Sequence, residues 1–171
     1  MSNFEIIEKC KELQIRNFKG VFMRDELQGK SSKNECLILN HDHSNNNGTH
    51  WTCLFIKNNA RGQTGGARGR LETRGACAAA SSRTFSAERQ RRAQAPEVTG
   101  GAGYYFDSFG FEPPLEVTKY CTEGERYFNT FPIQKPSEVI CGHYSIYMLY
   151  MLSIGFDFYD VLDELYKFNH K

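Results

Sequence analysis

QKPSEVICGHYSIYML, residues 134–149, sets a glutamine and a proline-containing turn ahead of a cysteine, a glycine and a long apolar run. The apolar residues fall on nearly every helical face, which predicts a deeply buried helix from about Cys141 to about Ser153. Ser137 is its candidate N-cap and Gly155 its stop. Cys141, at the head of that helix, is either one more small buried hydrophobe or the nucleophile of a catalytic site. The remaining sequence has to supply the other half of such a site.

Working outward, DFYDVLDELYKF (157–168) carries Phe158, Val161, Leu162 and Leu165 at helical spacing. At the other end, Ser2 and Glu5 form a capping box for a helix running to about Leu13. Between these ends lie aromatic and β-branched runs: ECLIL (35–39), HWTCLFIKN (50–58) and YYFDSF (104–109). PPLEVTKY (113–120) reads as a short helix with proline in its first turn. RYFNTFPIQ (126–134) looks extended, with Pro132 marking an edge or a strand end. Helices at the two ends and strands in the middle give the class α+β.

At 171 residues the chain suits a single domain. Its hydrophobic fraction of 40% and charged fraction of 24% are those of an ordinary soluble protein. No apolar run is long enough to span a bilayer, and MSNFEIIEKCKE lacks a secretory hydrophobic region. An intracellular monomer without membrane association is therefore expected. Cysteines 10, 36, 53, 77, 121 and 141 would then be mostly reduced, and no CxxC pair points to zinc or a redox motif.

Residues 60–103 differ in kind. All ten alanines and eight of the eleven arginines lie there, while every lysine, isoleucine, tyrosine and asparagine lies outside. The segment carries +5 (eight Arg against three Glu), leaving −4 for the remainder of a chain whose net charge is +1. It reads as an insert of separate origin, expected to be largely disordered. Its RTFSAERQRR cluster (83–92) is either a solvated loop or a contact for nucleic acid.

Thiolate catalysis needs a base, a group to orient that base, and donors for an oxyanion. The chain offers His50, Asp107, Gln134 and Cys141 in that order. His50 opens a strand after a polar turn. Asp107 is the one charged residue in its aromatic run and would sit on the partner strand. A helix N-terminus and a neighbouring imidazolium would both favour the Cys141 thiolate. Taken singly, His50 reads as a strand-end polar residue and Asp107 as a turn cap. A zinc site at His41, His43 and His50 is a weaker reading of HDHSNNNGTH (41–50) than a polar loop, and no metal or organic cofactor is expected.

GTHW (48–51), YYFDSFG (104–110) and QKPSEVICGHY (134–144) together resemble the adenain-like cysteine proteases, adenovirus-type processing enzymes that share a fold with SUMO- and NEDD8-specific deconjugating proteases. Proteases of DNA viruses and of large DNA transposons in animal genomes look similar, and FKGVFMRDEL (18–27) matches the family's N-terminal segment. The resemblance implies a papain-like, Ulp1-like fold, a central mixed sheet flanked by helices with the nucleophile at the N-terminus of a buried helix. It makes Cys141 the nucleophile, His50 the base and acid, Asp107 the orienting acid and Gln134 an oxyanion donor. Trp51 and Gly142 would line a narrow slot for substrate. The implied reaction is endopeptidic cleavage of a protein substrate at Gly-containing sites through a thioester. Deconjugation of ubiquitin-like tails is an alternative. Family members also imply DNA or an activating peptide as partners, with Cys121 near the position of the peptide-linking cysteine but read here as structural. The insert falls between base and acid, so a splayed, catalytically weak relic that only binds is the other expectation.

Overall fold

The computed structural model describes residues 1–32, 34–57, 101–121 and 124–170. Expectations for the Ala/Arg/Gly-rich segment, disorder and nucleic-acid contact alike, lie outside the described residues except at its end. There Ala102 and Gly103 belong to a strand.

The chain runs α1 (Asn3–Glu12), β1 (Phe18–Met23), a 3-10 turn (Arg24–Glu26), β2 (Asn34–Asn40), β3 (Trp51–Lys57) and β4 (Ala102–Phe106). It continues through α2 (Leu115–Tyr120), β5 (Glu125–Phe128), α3 (Cys141–Ser153) and α4 (Phe158–Asn169). The strands form one sheet in the order β1-β2-β3-β4-β5. β2, β3 and β4 pair antiparallel, while β1 and β5 add parallel at the edges. A parallel neighbour needs a crossover, and α2 supplies the one from β4 to β5. The class is α+β with a mixed sheet, as the sequence predicts.

Alternation along the strands explains why they read as unbroken apolar runs. Cys36, Ile38, Trp51, Cys53 and Phe106 pack on one face with α1, α3 and α4. Leu37, Leu39, Leu54, Ile56 and Tyr105 pack on the other with Val117 and Tyr120 of α2. With both faces covered, no period-two polar stripe remains. Each such aliphatic or aromatic side chain contributes roughly 1.5–3 kcal/mol of burial.

Several boundaries fall as expected. The Ser2–Glu5 capping box is present, α3 ends at Ser153 and Gly155 follows at φ +102°. Asp157 caps α4 through a 3.0 Å bond from the Tyr159 N–H. Three local expectations are corrected. Ser137 does not cap α3: its N-cap is Ile140, which has no side-chain acceptor. Pro114 is the N-cap of α2, in extended backbone, rather than part of its first turn. Of the run 126–134 only the part to Phe128 is strand, so Pro132 lies beyond the end of edge strand β5. Among the described residues no helix is long and apolar enough to cross a membrane.

Candidate active site

The β3–β4 hairpin brings together two residues 57 positions apart. Its register runs without a break from Cys53↔Phe106 to Lys57↔Ala102. His50 immediately precedes β3 and Asp107 immediately follows β4, so both stand at the end of the hairpin away from the 58–100 connection. Five positions at about 3.4 Å each put roughly 17 Å of strand between Ala102 and Asp107. The expected splaying of base from acid is not what the described strands show, since His50 Nε2 lies 2.9 Å from Asp107 Oδ1.

Asp107 is fully buried and held at every polar atom but one. Oδ1 also accepts from the Phe109 N–H at 2.7 Å. Asn129 clamps the backbone from both sides, accepting from the Asp107 N–H at 3.1 Å and donating to its carbonyl at 2.6 Å. The Gly110 N–H donates to the same carbonyl at 2.9 Å. The Phe109 ring packs against the imidazole of His50 with centroids 4.8 Å apart.

α3 lies across β3, tied by the Ser145 hydroxyl donating to the Trp51 carbonyl at 3.2 Å. Its first residue is Cys141, 7% exposed. Ile140 offers no capping oxygen, so the first-turn N–H groups of α3 have no side-chain cap. Burial pushes the Cys141 thiol up, but hydrogen bonding from His50 and from the Trp51 and Gly142 backbone outweighs it and lowers the thiol overall. The other described cysteines shift the opposite way. Burial raises Cys10 and Cys36 to about 12, Cys121 to about 11, and Cys53 well above the ordinary thiol value. Only a thiolate is a competent nucleophile. The same contacts act on the base. Burial alone would lower His50, yet hydrogen bonds with Asp107 and Cys141 raise it to about 9. With Nε2 on Asp107, Nδ1 is the ring nitrogen left for the thiol; it is buried and has no partner of strict hydrogen-bond geometry.

Gln134 belongs to the same unit as the acid. Its amide oxygen accepts from the Ser108 hydroxyl at 2.9 Å, and its amide nitrogen donates to the Glu138 carbonyl. The backbone N–H groups of Ile133 and Gln134 both donate to the Ser108 carbonyl at 2.8 Å. Asn169, at the end of α4, pins the loop by donating to the Ile133 carbonyl at 2.7 Å. Trp51 and Gly142 lie against each other: a Cβ on Gly142 would meet Trp51 Cδ1 at 3.3 Å and Met1 Sδ at 3.1 Å. The Trp51 indole N–H donates to the Met1 carbonyl at 3.2 Å.

Sequence reasoning placed Cys141, His50, Asp107 and Gln134 in one site; the fold pairs His50 with Asp107 and ties Gln134 to Ser108, the residue after Asp107. It missed Asn129, Ser108, Tyr105 and the placement of His41. Ser108 and Asn129 left a faint trace, as small polar residues inside aromatic runs. The three histidines of the loop part company. His43 contacts Arg24 and Asp25, whereas His41 faces Asp107 with His50. Among the described residues no group of three or more His, Cys, Asp and Glu has an arrangement that could hold a metal ion.

No protein-family model and no curated protein matches the chain. Among solved structures it is similar to the crystal structure of the ASFV pS273R protease, at 15% identity and a TM-score of 0.44. The match covers 99% of this chain and 66% of that protein, so the chain spans just under two thirds of its length.

Proposed function

We propose that the chain is an adenain-like, Ulp1-like cysteine endopeptidase acting on Gly-containing sites of a protein substrate. The observation that carries the reading is the His50–Asp107 pair, 2.9 Å apart with Asp107 fully buried, at the end of the strand over which α3 sets Cys141 as its first residue. In the reaction the Cys141 thiolate attacks the scissile carbonyl carbon, and the carbonyl oxygen takes up the negative charge. The Cys141 backbone N–H and the second N–H of the Gln134 amide are the donors for that oxyanion, the first being bonded to Glu138. As the C–N bond breaks, the His50 imidazolium protonates the leaving amine, leaving a thioester on Cys141. Neutral His50 then takes a proton from water, whose oxygen attacks the thioester, and the returning thiolate closes the cycle. The glycine preference follows from the family resemblance of GTHW and the Cys141-Gly142 pair, with Trp51 packed directly against Gly142 beside the nucleophile.

A thiol-directed acyl probe ending in glycine tests this reading. Folded protein is expected to gain one adduct, on Cys141 by peptide mass spectrometry, and Cys141→Ala to gain none. Folded wild-type chain that takes up no label would overturn it, in favour of a relic that only binds.

The pH profile gives a second expectation. Hydrolysis of an amide requires the His50 proton for the leaving group, so kcat/KM is expected to fall as pH rises through about 9. Alkylation of Cys141 by iodoacetamide needs no such proton and should not fall there. An alkaline limb near the unperturbed histidine value of about 6.5 would show that Asp107 does not support the imidazolium.

A further inference from the structure

The mechanism uses one oxygen of Asp107. The other, Oδ2, is fully buried and has no partner of strict hydrogen-bond length. A carboxylate oxygen in the interior is costly unless a donor faces it. The side chain that faces it is His41, with Nε2 at 3.5 Å. His41 follows β2 and is fixed on three sides. Its Nε2 lies 2.6 Å from the buried Tyr105 hydroxyl, and its backbone N–H donates to the His50 carbonyl at 2.9 Å. Its ring meets that of His50 edge-on, with centroids 5.3 Å apart.

We propose that His41, backed by Tyr105, is a positioning residue of this site, sealing the outer oxygen of Asp107 so that the carboxylate stays aligned on His50. The inference rests on the peptidase reading and extends it to a second imidazole. In the tautomer protonated at Nε2, the N–H is shared between the Tyr105 oxygen and Oδ2. An apolar ring in its place would leave Oδ2 buried without a donor, favouring rotation of the carboxyl away from His50. His50 would then lose its counter-charge and Cys141 its imidazolium. The charged and titratable groups acting on His41 are Asp107, His50, Arg24 and Asp42. Burial, the largest influence, holds its basicity below the ordinary histidine value, so near neutral pH it is a neutral donor and not a rival cation.

The test is site-resolved iodoacetamide alkylation of Cys141 across pH, which needs no substrate, with His41→Phe, His41→Gln and Tyr105→Phe beside the wild type. His41→Phe is expected to react on the order of tenfold more slowly at pH 7, with its midpoint moved toward that of an ordinary thiol; outer hydrogen-bond partners typically cost roughly 10- to 100-fold. His41→Gln, which restores an N–H toward Oδ2, should lie within about twofold of wild type. Tyr105→Phe conserves volume and should shift the profile the same way by about threefold. A His41→Phe profile that coincides with wild type overturns the inference, as does a His41→Gln variant as slow as His41→Phe. If His41→Phe does not fold, an unchanged Tyr105→Phe profile overturns it alone. A wild-type Cys141 that titrates as an ordinary thiol sinks the peptidase reading itself, a different result from any of these.

Discussion

Asp107→Asn is expected to lower kcat/KM near pH 7.5 by roughly a hundred- to a thousandfold while the protein stays folded, with the alkaline limb moving down from about 9. The size follows from the geometry. The Phe109 N–H, 2.7 Å from Oδ1, selects an oxygen at that position, so the amide introduced by Asp107→Asn turns its nitrogen outward toward His41. The oxygen kept at Oδ1 still accepts from His50 Nε2, and the tautomer of the base is preserved. What is lost is the charge. Without it, burial drives His50 from about 9 toward or below its unperturbed value of about 6.5, and each pH unit is a factor of ten in the imidazolium population. The Cys141 thiolate loses the same support. Steady-state kinetics over pH would check this, and a loss of less than about fivefold with an unmoved alkaline limb would remove Asp107 from the mechanism.

The site was legible in the sequence because its chemistry is carried by residue types that stand out in their surroundings. A histidine at the head of the apolar run WTCLFIK and an aspartate closing YYF are conspicuous. The hairpin follows from the length and β-branched character of the two runs, so their facing ends could be placed together without coordinates. What stayed hidden is what long-range packing decides. Asn129 acts through a backbone clamp on a residue 22 positions away, and its place inside the aromatic run FNTF is only a faint local trace of that. His41 looked like part of a polar loop because its partners, Tyr105 in β4 and Asp107 just after it, come 64 or more positions later.

The fold shows the same division. α1, α3 and α4 were readable from caps and periodicity. β1 was not, because Lys19 and Gly20 interrupt its apolar pattern and its pairing with β2 shifts register between Phe18 and Gly20. The misassigned cap of α3 has a physical reason. Ser137 has the right chemistry for a cap, but it sits four positions before the first helical residue, within the loop that presents Gln134. The N-cap position falls instead on Ile140. A capping oxygen there would compete with the thiolate for the first-turn N–H groups, so a rule of helix stability fails where the helix end serves the site.

Gly110→Ala is expected to lower stability by about 3 kcal/mol, a fall in Tm of roughly 6–12 °C for a domain of this size, and to reduce activity about a hundredfold. Gly110 has φ +77°, where an L side chain costs roughly 1–2 kcal/mol. A Cβ there would also lie 2.6 Å from the carbonyl carbon of Phe131 and 2.8 Å from its nitrogen. Those atoms are backbone and cannot turn aside, so the 107–110 turn and the 131–134 loop must move apart, adding an overpacking cost of about 1–3 kcal/mol. The two segments are joined by the bonds that set the site: Ser108 to Ile133 and Gln134 on one side, Asn129 to Asp107 and Phe131 on the other. Parting them displaces the orienting acid and the oxyanion donor together, and a displacement near 1 Å costs about a hundredfold in rate. Gly155→Ala is the matched control. Gly155 also has positive φ, +102°, but open space where its Cβ would go, and it lies at the far end of α3 from Cys141. It should lose only the conformational part of the stability and none of the kcat/KM. Thermal melts and kinetics on both variants separate the contributions; equal behaviour of the two would mean that contact with Phe131 does not set the site.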